Sequence, residues 1–296
     1  MILVTGASGL SGSAVVREFS RRNVPLRALV RDLKRAGDLA RLPGVEVVEG
    51  DMGEPHTLIR ALDGVDRALM ISTSLPDMVQ TQSRFIETCR VVGVTHVVKL
   101  SGKESGDGFN PAMFRFTRMH EQIERYLETS GLAWTHLRPS QFMQTYLREA
   151  GSITGQAALF LPFEGIRLAP IDVEDIAKIA VGVLLGDGHA GRSYDMTGPE
   201  ALTMAEIAEH ISQAIDAPVR FVPVTPQERR RRLLEAGLPS YLVDAMDEQT
   251  AERLRRPDSP VYISTHERFG VRPTPFAEFA VRNAKAFLSE RVAAMS

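Results

Sequence analysis

Three glycines near the start of the chain are spaced so that they could cradle a phosphate group. Gly6, Gly9 and Gly12 follow the apolar run Ile2–Val4 and precede an amphipathic stretch. Such glycines allow a tight turn, a close approach of pyrophosphate to the backbone, and close packing of a helix on a strand. The N–H groups and dipole of that helix would favour the anion. The spacing therefore predicts a dinucleotide site built from Gly6, Ala7, Ser8, Gly9, Leu10, Ser11 and Gly12.

The end of the second apolar run, Leu26–Val30, bears on the choice between NAD and NADP. Proteins that bind NAD usually place an acidic residue there for the ribose 2′-hydroxyl, whereas those that bind NADP place Arg near the 2′-phosphate. Asp32 stands at about the right distance for a ribose, but it also precedes a helical segment that an aspartate could cap. Arg31 and Arg35 offer the paired guanidinium groups that a phosphate favours. We predict NADP(H), with NAD less favoured.

Polar residues also follow the next three apolar runs. The carboxyl ends of parallel strands share one edge of a sheet, where ligands bind. Each of these residues, taken alone, could be a solvated loop residue or a ligand contact. Their common position at this edge favours ligand contact. The sequence predicts additional cofactor contacts from Asp51, Met52, Ser72, Thr73, Ser74, Ser101 and Lys103.

An alternation of short apolar runs and helix-length segments through residues 1–139 would position these groups. The alternation predicts an α/β fold with a doubly wound parallel sheet, a Rossmann fold, with helices on both faces. Right-handed crossovers then bring ligands to the carboxyl ends of the strands. Beyond this region the spacing changes, and we predict a smaller C-terminal α/β lobe. The expected domains are an NADP-binding domain over 1–150 and a substrate lobe over 151–296, interleaved with the sheet around 165–200.

The composition argues against several classes of protein. The 296 residues include 35 basic and 37 acidic side chains, so we expect no nucleic-acid partner and no membrane-surface partner. Cys89 is the single cysteine, which excludes an internal disulfide and most cysteine-based zinc sites, and we expect no metal. The run Arg229–Arg232 is expected to be a solvated helix face. With no apolar run of about 18 residues and no leader pattern, we expect a cytoplasmic monomer or homodimer.

Several motifs resemble those of the atypical short-chain dehydrogenase/reductases. They are Thr-Gly-Ala-Ser-Gly at 5–9, Val30-Arg31, Gly50-Asp51 and Leu100-Ser101. More narrowly, His120-x-x-x-Glu124 with the segments 130–139 and 171–177 is similar to the NmrA-like group. The resemblance covers roughly residues 1–185 well. It implies NAD(P) binding, and it includes both reductases and regulators without turnover.

The sequence departs from the short-chain dehydrogenases at their catalytic pair. Those enzymes usually use Tyr-x-x-x-Lys, in which the lysine lowers the tyrosine pKa. None of the five tyrosines here has lysine four residues on, and Phe116 and His120 take the place of the pair. Glu124 could orient the His120 imidazole. His120 is therefore a candidate catalytic residue or a structural one, and Lys103 is a candidate proton donor or a solvated loop lysine.

Residues after the sixth apolar run are expected to cross the cofactor and line an apolar pocket, although such side chains at helical spacing are also typical of a core. The expected pocket residues are Phe114, Gln141, Phe142, Tyr146 and Phe160. Such a pocket favours a flat or apolar small-molecule substrate. Two functions stay open. One is an NADPH-dependent reductase of a quinone, enone or imine, and the other is an NADP(H)-binding sensor or regulator.

Overall fold

The computed structural model describes residues 1–102 and 109–289 of the chain. Eleven strands lie in these residues. They are β1 Ile2–Val4, β2 Leu26–Val30, β3 Val45–Glu49, β4 Arg67–Met70, β5 His96–Leu100, β6 Ala133–Pro139, β7 Ala158–Leu161, β8 Arg167–Leu168, β9 Arg192–Met196, β10 Leu202–Thr203 and β11 Arg220–Pro223.

Twelve α-helices and two longer 3₁₀ segments connect these strands within the same ranges. The helices are α1 Leu10–Arg21, α2 Pro55–Ala61, α3 Met78–Val92, α4 Arg115–Glu128, α5 Ala150–Gln156, α6 Val173–Leu185, α7 Met204–Ile215, α8 Pro226–Glu235, α9 Ser240–Arg255, α10 Ser264–Phe269, α11 Phe276–Arg282 and α12 Ala284–Phe287. The 3₁₀ segments are Leu33–Arg41 and Met143–Glu149.

The main sheet has seven strands in the order β3-β2-β1-β4-β5-β6-β9 among the described residues. Every neighbouring pair is parallel. Alternate residues of a strand point to opposite faces, so Val4 packs with α1 and α6 while Leu3 packs with α2, α3 and α4. The prediction of a doubly wound parallel sheet is confirmed. Its order reverses beside β1, which brings the ends of β1 and β4 to the position where such folds bind ligands.

A third core lies beyond the main sheet. Its apolar residues come from the 3₁₀ segment Met143–Glu149 and from α5, β7, β8, β10, α7, α11 and α12. Two small sheets accompany it, β8 with β10 antiparallel and β7 with β11 parallel. The strand β9 returns from this part of the chain to the main sheet, where it pairs with β6. The sequence from 150 onward therefore contributes both to the sheet and to the additional core.

Neither a membrane-spanning helix nor a metal-binding cluster occurs among the described residues. None of the helices in residues 1–102 and 109–289 is long and apolar enough to cross a membrane. Within the same ranges, no cluster of three or more His, Cys, Asp or Glu side chains could hold a metal ion.

Candidate functional site

The loop between β1 and α1 has the geometry that a pyrophosphate requires. Gly6 has a positive φ of 57°, and a Cβ at this position would lie 2.9 Å from the Ile71 carbonyl oxygen. A Cβ at Gly12 would lie only 2.1 Å from the carbonyl oxygen of Gly6. Gly9 is the N-cap of α1 and offers no side chain to cap it, which leaves the first amides of the helix available to an anion.

A cleft of about 420 Å³ opens at this loop, and we call it the glycine-loop cleft. Most of the predicted cofactor residues lie in its lining. They are Gly6, Ser8, Gly9, Leu10, Ser11, Gly12, Arg31, Asp51, Met52, Ser72, Thr73 and Ser74. Ala7 is fully buried beneath the loop, and Ser101 lines a neighbouring cavity instead. Lys103 lies outside the described residues.

The charged residues that follow β2 have different roles. The Asp32 carboxylate accepts a hydrogen bond from the Lys34 amide at 2.9 Å, as the N-cap of the 3₁₀ segment Leu33–Arg41. Asp32 is not among the described residues that line the glycine-loop cleft, whereas Arg31 and Arg35 are. Guanidinium groups suit a phosphate monoester, and Asp32, the acid expected for a ribose hydroxyl, is engaged as a cap.

A ridge formed by Phe142, Thr145 and Arg148 separates this cleft from a second cavity. The three residues lie at intervals of three in the segment Met143–Glu149 and its N-cap. Side chains at i and i+3 eclipse in a 3₁₀ helix, so the three share one face. The Thr145 hydroxyl donates to the Phe142 carbonyl oxygen at 2.7 Å. All three residues line both cavities, and the ridge is where the two spaces meet.

The second cavity has a volume of about 600 Å³, and we call it the aromatic cavity. Its lining includes the predicted residues Gln141, Phe142, Tyr146 and Phe160. The predicted pocket residue Phe114 is absent from the described lining. Phe114 is buried before α4, where its ring packs against those of Phe109 and Phe116. Phe116 lines the cavity instead.

The arginine run within α8 forms the predicted solvated face only in part. Arg231 is exposed, whereas two other members of the run line the aromatic cavity. Arg229 lines the aromatic cavity and forms an ion pair with the buried Glu149 at 2.6 Å. Arg232 also lines it, with its guanidinium 4.1 Å from the centre of the Phe160 ring. The partners lie about 70 to 80 positions apart in the sequence, so only the tertiary structure reveals this role.

His120 contacts a buried lysine that the sequence reasoning missed. The His120 Nδ1 lies 2.9 Å from the Nζ of Lys99, whose side chain is fully buried. Burial lowers the pKa of Lys99 to about 7. Burial and the adjacent Lys99 charge hold the pKa of His120 well below its usual value. The Glu124 carboxylate accepts hydrogen bonds from Arg138 at 3.1 and 2.6 Å, and the described contacts include none between Glu124 and His120. The sequence feature that could have identified Lys99 is the presence of a lysine within the apolar run that forms β5.

Removal of the Lys99 charge should change how the free energy of unfolding depends on pH. The folded-state pKa lies below the value near 10.4 of an unfolded lysine, so the unfolded state binds the additional proton between about pH 7 and 10. The stability of the wild type should therefore rise relative to Lys99→Met, by about 3 kcal/mol from about pH 7 to 9.5. Urea unfolding of both proteins measures this, and a pH-independent difference would contradict the assignment.

The chain is similar to known proteins over most of its length. The chain is 36% identical to an NAD(P)H azoreductase of Xenophilus azovorans, over 97% of this chain and 99% of that protein. It is 34% identical to a (4-alkanoyl-5-oxo-2,5-dihydrofuran-3-yl)methyl phosphate reductase of Streptomyces griseus, over 98% of this chain and 100% of that one. The structure of an NADPH-dependent quinone oxidoreductase of Escherichia coli, complexed with NADPH, superposes with a TM-score of 0.85. That match has 24% identity and covers 95% of this chain and 99% of the other.

A family model also matches most of the chain. The model describes the NmrA-like family, and its match extends over residues 1–256. This range includes the glycine loop, the ridge and all of the described lining of the aromatic cavity. The chain therefore belongs to the NmrA-like family.

Proposed function

We propose that this protein is an NADPH-dependent reductase of planar aromatic small molecules, such as quinones, azo compounds or imines. The observation that carries the proposal is the meeting of the glycine-loop cleft and the aromatic cavity along one ridge. A dinucleotide in the cleft would extend toward the ridge, and a flat acceptor in the cavity would approach it from the other side. The names of the azoreductase and the quinone oxidoreductase support this class of reaction.

The cleft's own residues account for the binding of NADPH. The loop Gly6–Gly12 and the amides of α1 would hold the pyrophosphate, because no side chain larger than hydrogen fits at Gly12. Arg31 and Arg35 would hold the 2′-phosphate. Asp51 and Met52 lie at the same edge for the adenine, and Ser72–Ser74 lie beside the ribose path. When bound, NADPH supplies a hydride to the acceptor.

We infer that the aromatic cavity positions the substrate and does not supply a general acid. No histidine or lysine occurs among the described residues of its lining, and the carboxylates of Glu149 and Asp247 are both ion-paired. Burial raises the pKa of Tyr146 above its usual value, and its hydroxyl faces the sulfur of Met204. We infer that the proton comes from water, and that Phe142 and Phe160 align the acceptor plane for the reaction.

His120 acts in this account as a positioning residue behind the end of β5. It is absent from the described lining of both cavities and contacts Lys99, two residues before the lining residue Ser101. His120→Ala should lower the thermal stability, while kcat and its pH profile stay within about threefold of the wild type. A loss of kcat of about a hundredfold, the size typical of a lost general acid, would restore His120 as the proton donor. Steady-state kinetics across pH measure the difference.

A panel of acceptors tests the substrate class. NADPH oxidation is followed with a naphthoquinone, a neutral azo dye, a cyclic imine and an aliphatic ketone. We expect turnover with one or more of the planar acceptors and none with the ketone. The reason is that the Tyr-x-x-x-Lys pair, which protonates simple carbonyls, is absent from the sequence. Reduction of the ketone at a comparable rate would overturn the assignment.

The loss of that pair also supports a second candidate function. Phe116 and His120 stand where the pair is expected, and phenylalanine cannot donate a proton. A protein that binds NADP(H) and reports its redox state to a partner needs no such group. If the protein has this second function, its affinities for NADPH and NADP⁺ should differ strongly. No acceptor of the panel should then oxidise bound NADPH.

A further inference from the structure

Arg148, on the ridge between the two cavities, has no acidic partner. Among the residues that the structure describes, it takes part in no ion pair and no side-chain hydrogen bond. The other arginines of the aromatic cavity are neutralised. Arg229 binds Glu149 at 2.6 Å, and Arg232 binds Glu228 at 2.9 Å. Arg148 is therefore the unpaired cation of this lining.

The acidic residues of the cavity do not balance this charge. Glu149 is occupied by Arg229, and Asp247 is bound by Arg230 at 2.5 Å. The remaining polar groups near the ridge, Gln141 and Thr145, are neutral and hydrogen-bonded to each other at 3.3 Å. The described lining of the aromatic cavity thus carries one uncompensated positive charge, placed at its junction with the glycine-loop cleft.

The surroundings of Arg148 leave its charge accessible to a ligand and only partly solvated. Its side chain is exposed, but the space it faces is the two cavities. Burial lowers the pKa of the Arg148 guanidinium, and the neighbouring Arg229 lowers it further against the opposing effect of Glu149. A partly desolvated cation gains free energy when an anion approaches with bidentate geometry.

The proposed cofactor site assigns the phosphates of NADPH to other residues of the cleft. The loop Gly6–Gly12 and the start of α1 suit the pyrophosphate, and Arg31 with Arg35 suits the 2′-phosphate. We propose that Arg148 binds an anionic substituent of the substrate, a sulfonate, carboxylate or phosphate carried by an aromatic acceptor. This inference rests on the proposed function and specifies its substrate class.

Binding to the NADP⁺ complex tests the inference without turnover. Calorimetry compares naphthalene-2-sulfonate with the neutral naphthalene-2-methanol, on the wild type, Arg148→Met and Arg148→Lys. The wild type should bind the sulfonate more tightly. Arg148→Met should weaken sulfonate binding by about ten- to a hundredfold and leave the alcohol unchanged, and Arg148→Lys should keep part of the preference. Arg60→Met is the matched control, because Arg60 is exposed on α2 and lines neither cavity.

Three results would overturn the inference. A wild type without preference for the sulfonate would show that the charge is not used, and an equal loss for both ligands would indicate a role in shape alone. A weaker affinity for NADPH with unchanged naphthalene binding would assign Arg148 to the cofactor phosphates. Measurement of NADPH oxidation distinguishes a failure of this inference from a failure of the proposed function. A sulfonate preference without oxidation of NADPH by any acceptor supports the anion site and refutes the reductase.

Discussion

Gly12→Ala is expected to weaken NADPH binding by about a hundredfold or more. The added methyl group would lie 2.1 Å from the carbonyl oxygen of Gly6 and 2.9 Å from the Cα of Ala7. Both contacts are with backbone, so the loop or α1 must shift to relieve them. Such a shift would displace the amides that face the pyrophosphate, and these amides act together at one helix end. Affinity should fall by about a hundredfold or more, which corresponds to roughly 2.7 kcal/mol or more.

The matched control is Gly155→Ala. Gly155 also lies in a helix, α5, but a Cβ there meets nothing within 4 Å. This substitution should stabilise the protein by about 0.5 kcal/mol or more, because alanine has the higher helix propensity. Calorimetric titration with NADPH and urea unfolding are measured on both variants. A Gly12→Ala protein that is folded and binds NADPH as the wild type does would refute the assignment of the loop.

The double substitution of Arg31 and Arg35 by alanine is expected to remove the preference for NADPH over NADH. Both side chains line the glycine-loop cleft, whereas Asp32 is occupied as a helix cap. A charge-assisted hydrogen bond contributes about 1.5–3 kcal/mol. NADPH affinity should thus fall by about a hundredfold, while NADH affinity stays within about threefold because it lacks the 2′-phosphate.

Lys34→Ala separates a direct contact from a general charge effect. Lys34 is exposed between the two arginines and does not line the described cleft. This variant removes one positive charge and should change neither affinity appreciably. Calorimetry with both cofactors reads out all the variants. Tighter binding of NADH than of NADPH by the wild type would overturn the cofactor assignment.

The sequence predicted the cofactor end of the site more fully than the substrate end. The glycine loop and the residues after β2, β3 and β4 are local features, because the chain between a strand and its helix forms the binding edge directly. Asp32 illustrates a choice that the sequence left open. Its position suited both a ribose and a helix cap, and only its hydrogen bond to the Lys34 amide identifies the cap.

The aromatic cavity depends on contacts that sequence periodicity does not encode. Phe142, Thr145 and Arg148 repeat at three residues, whereas the patterns used to find helices and strands repeat at 3.6 and 2.0. Arg229 meets Glu149 across 80 positions. Phe114 is the N-cap residue before α4 and Phe116 lies within its first turn, so the exact start of the helix decides which ring is buried. These features follow from tertiary packing.

Stopped-flow mixing of the NADPH-loaded protein with a naphthoquinone or a neutral azo dye tests the central claim most directly. The reductase account predicts that bound NADPH is oxidised in one turnover and that an equal amount of reduced acceptor forms. The rate should be unaffected in Lys34→Ala and lost in Gly12→Ala. NADPH that binds tightly and stays unoxidised with every planar acceptor would contradict the account and leave the regulator.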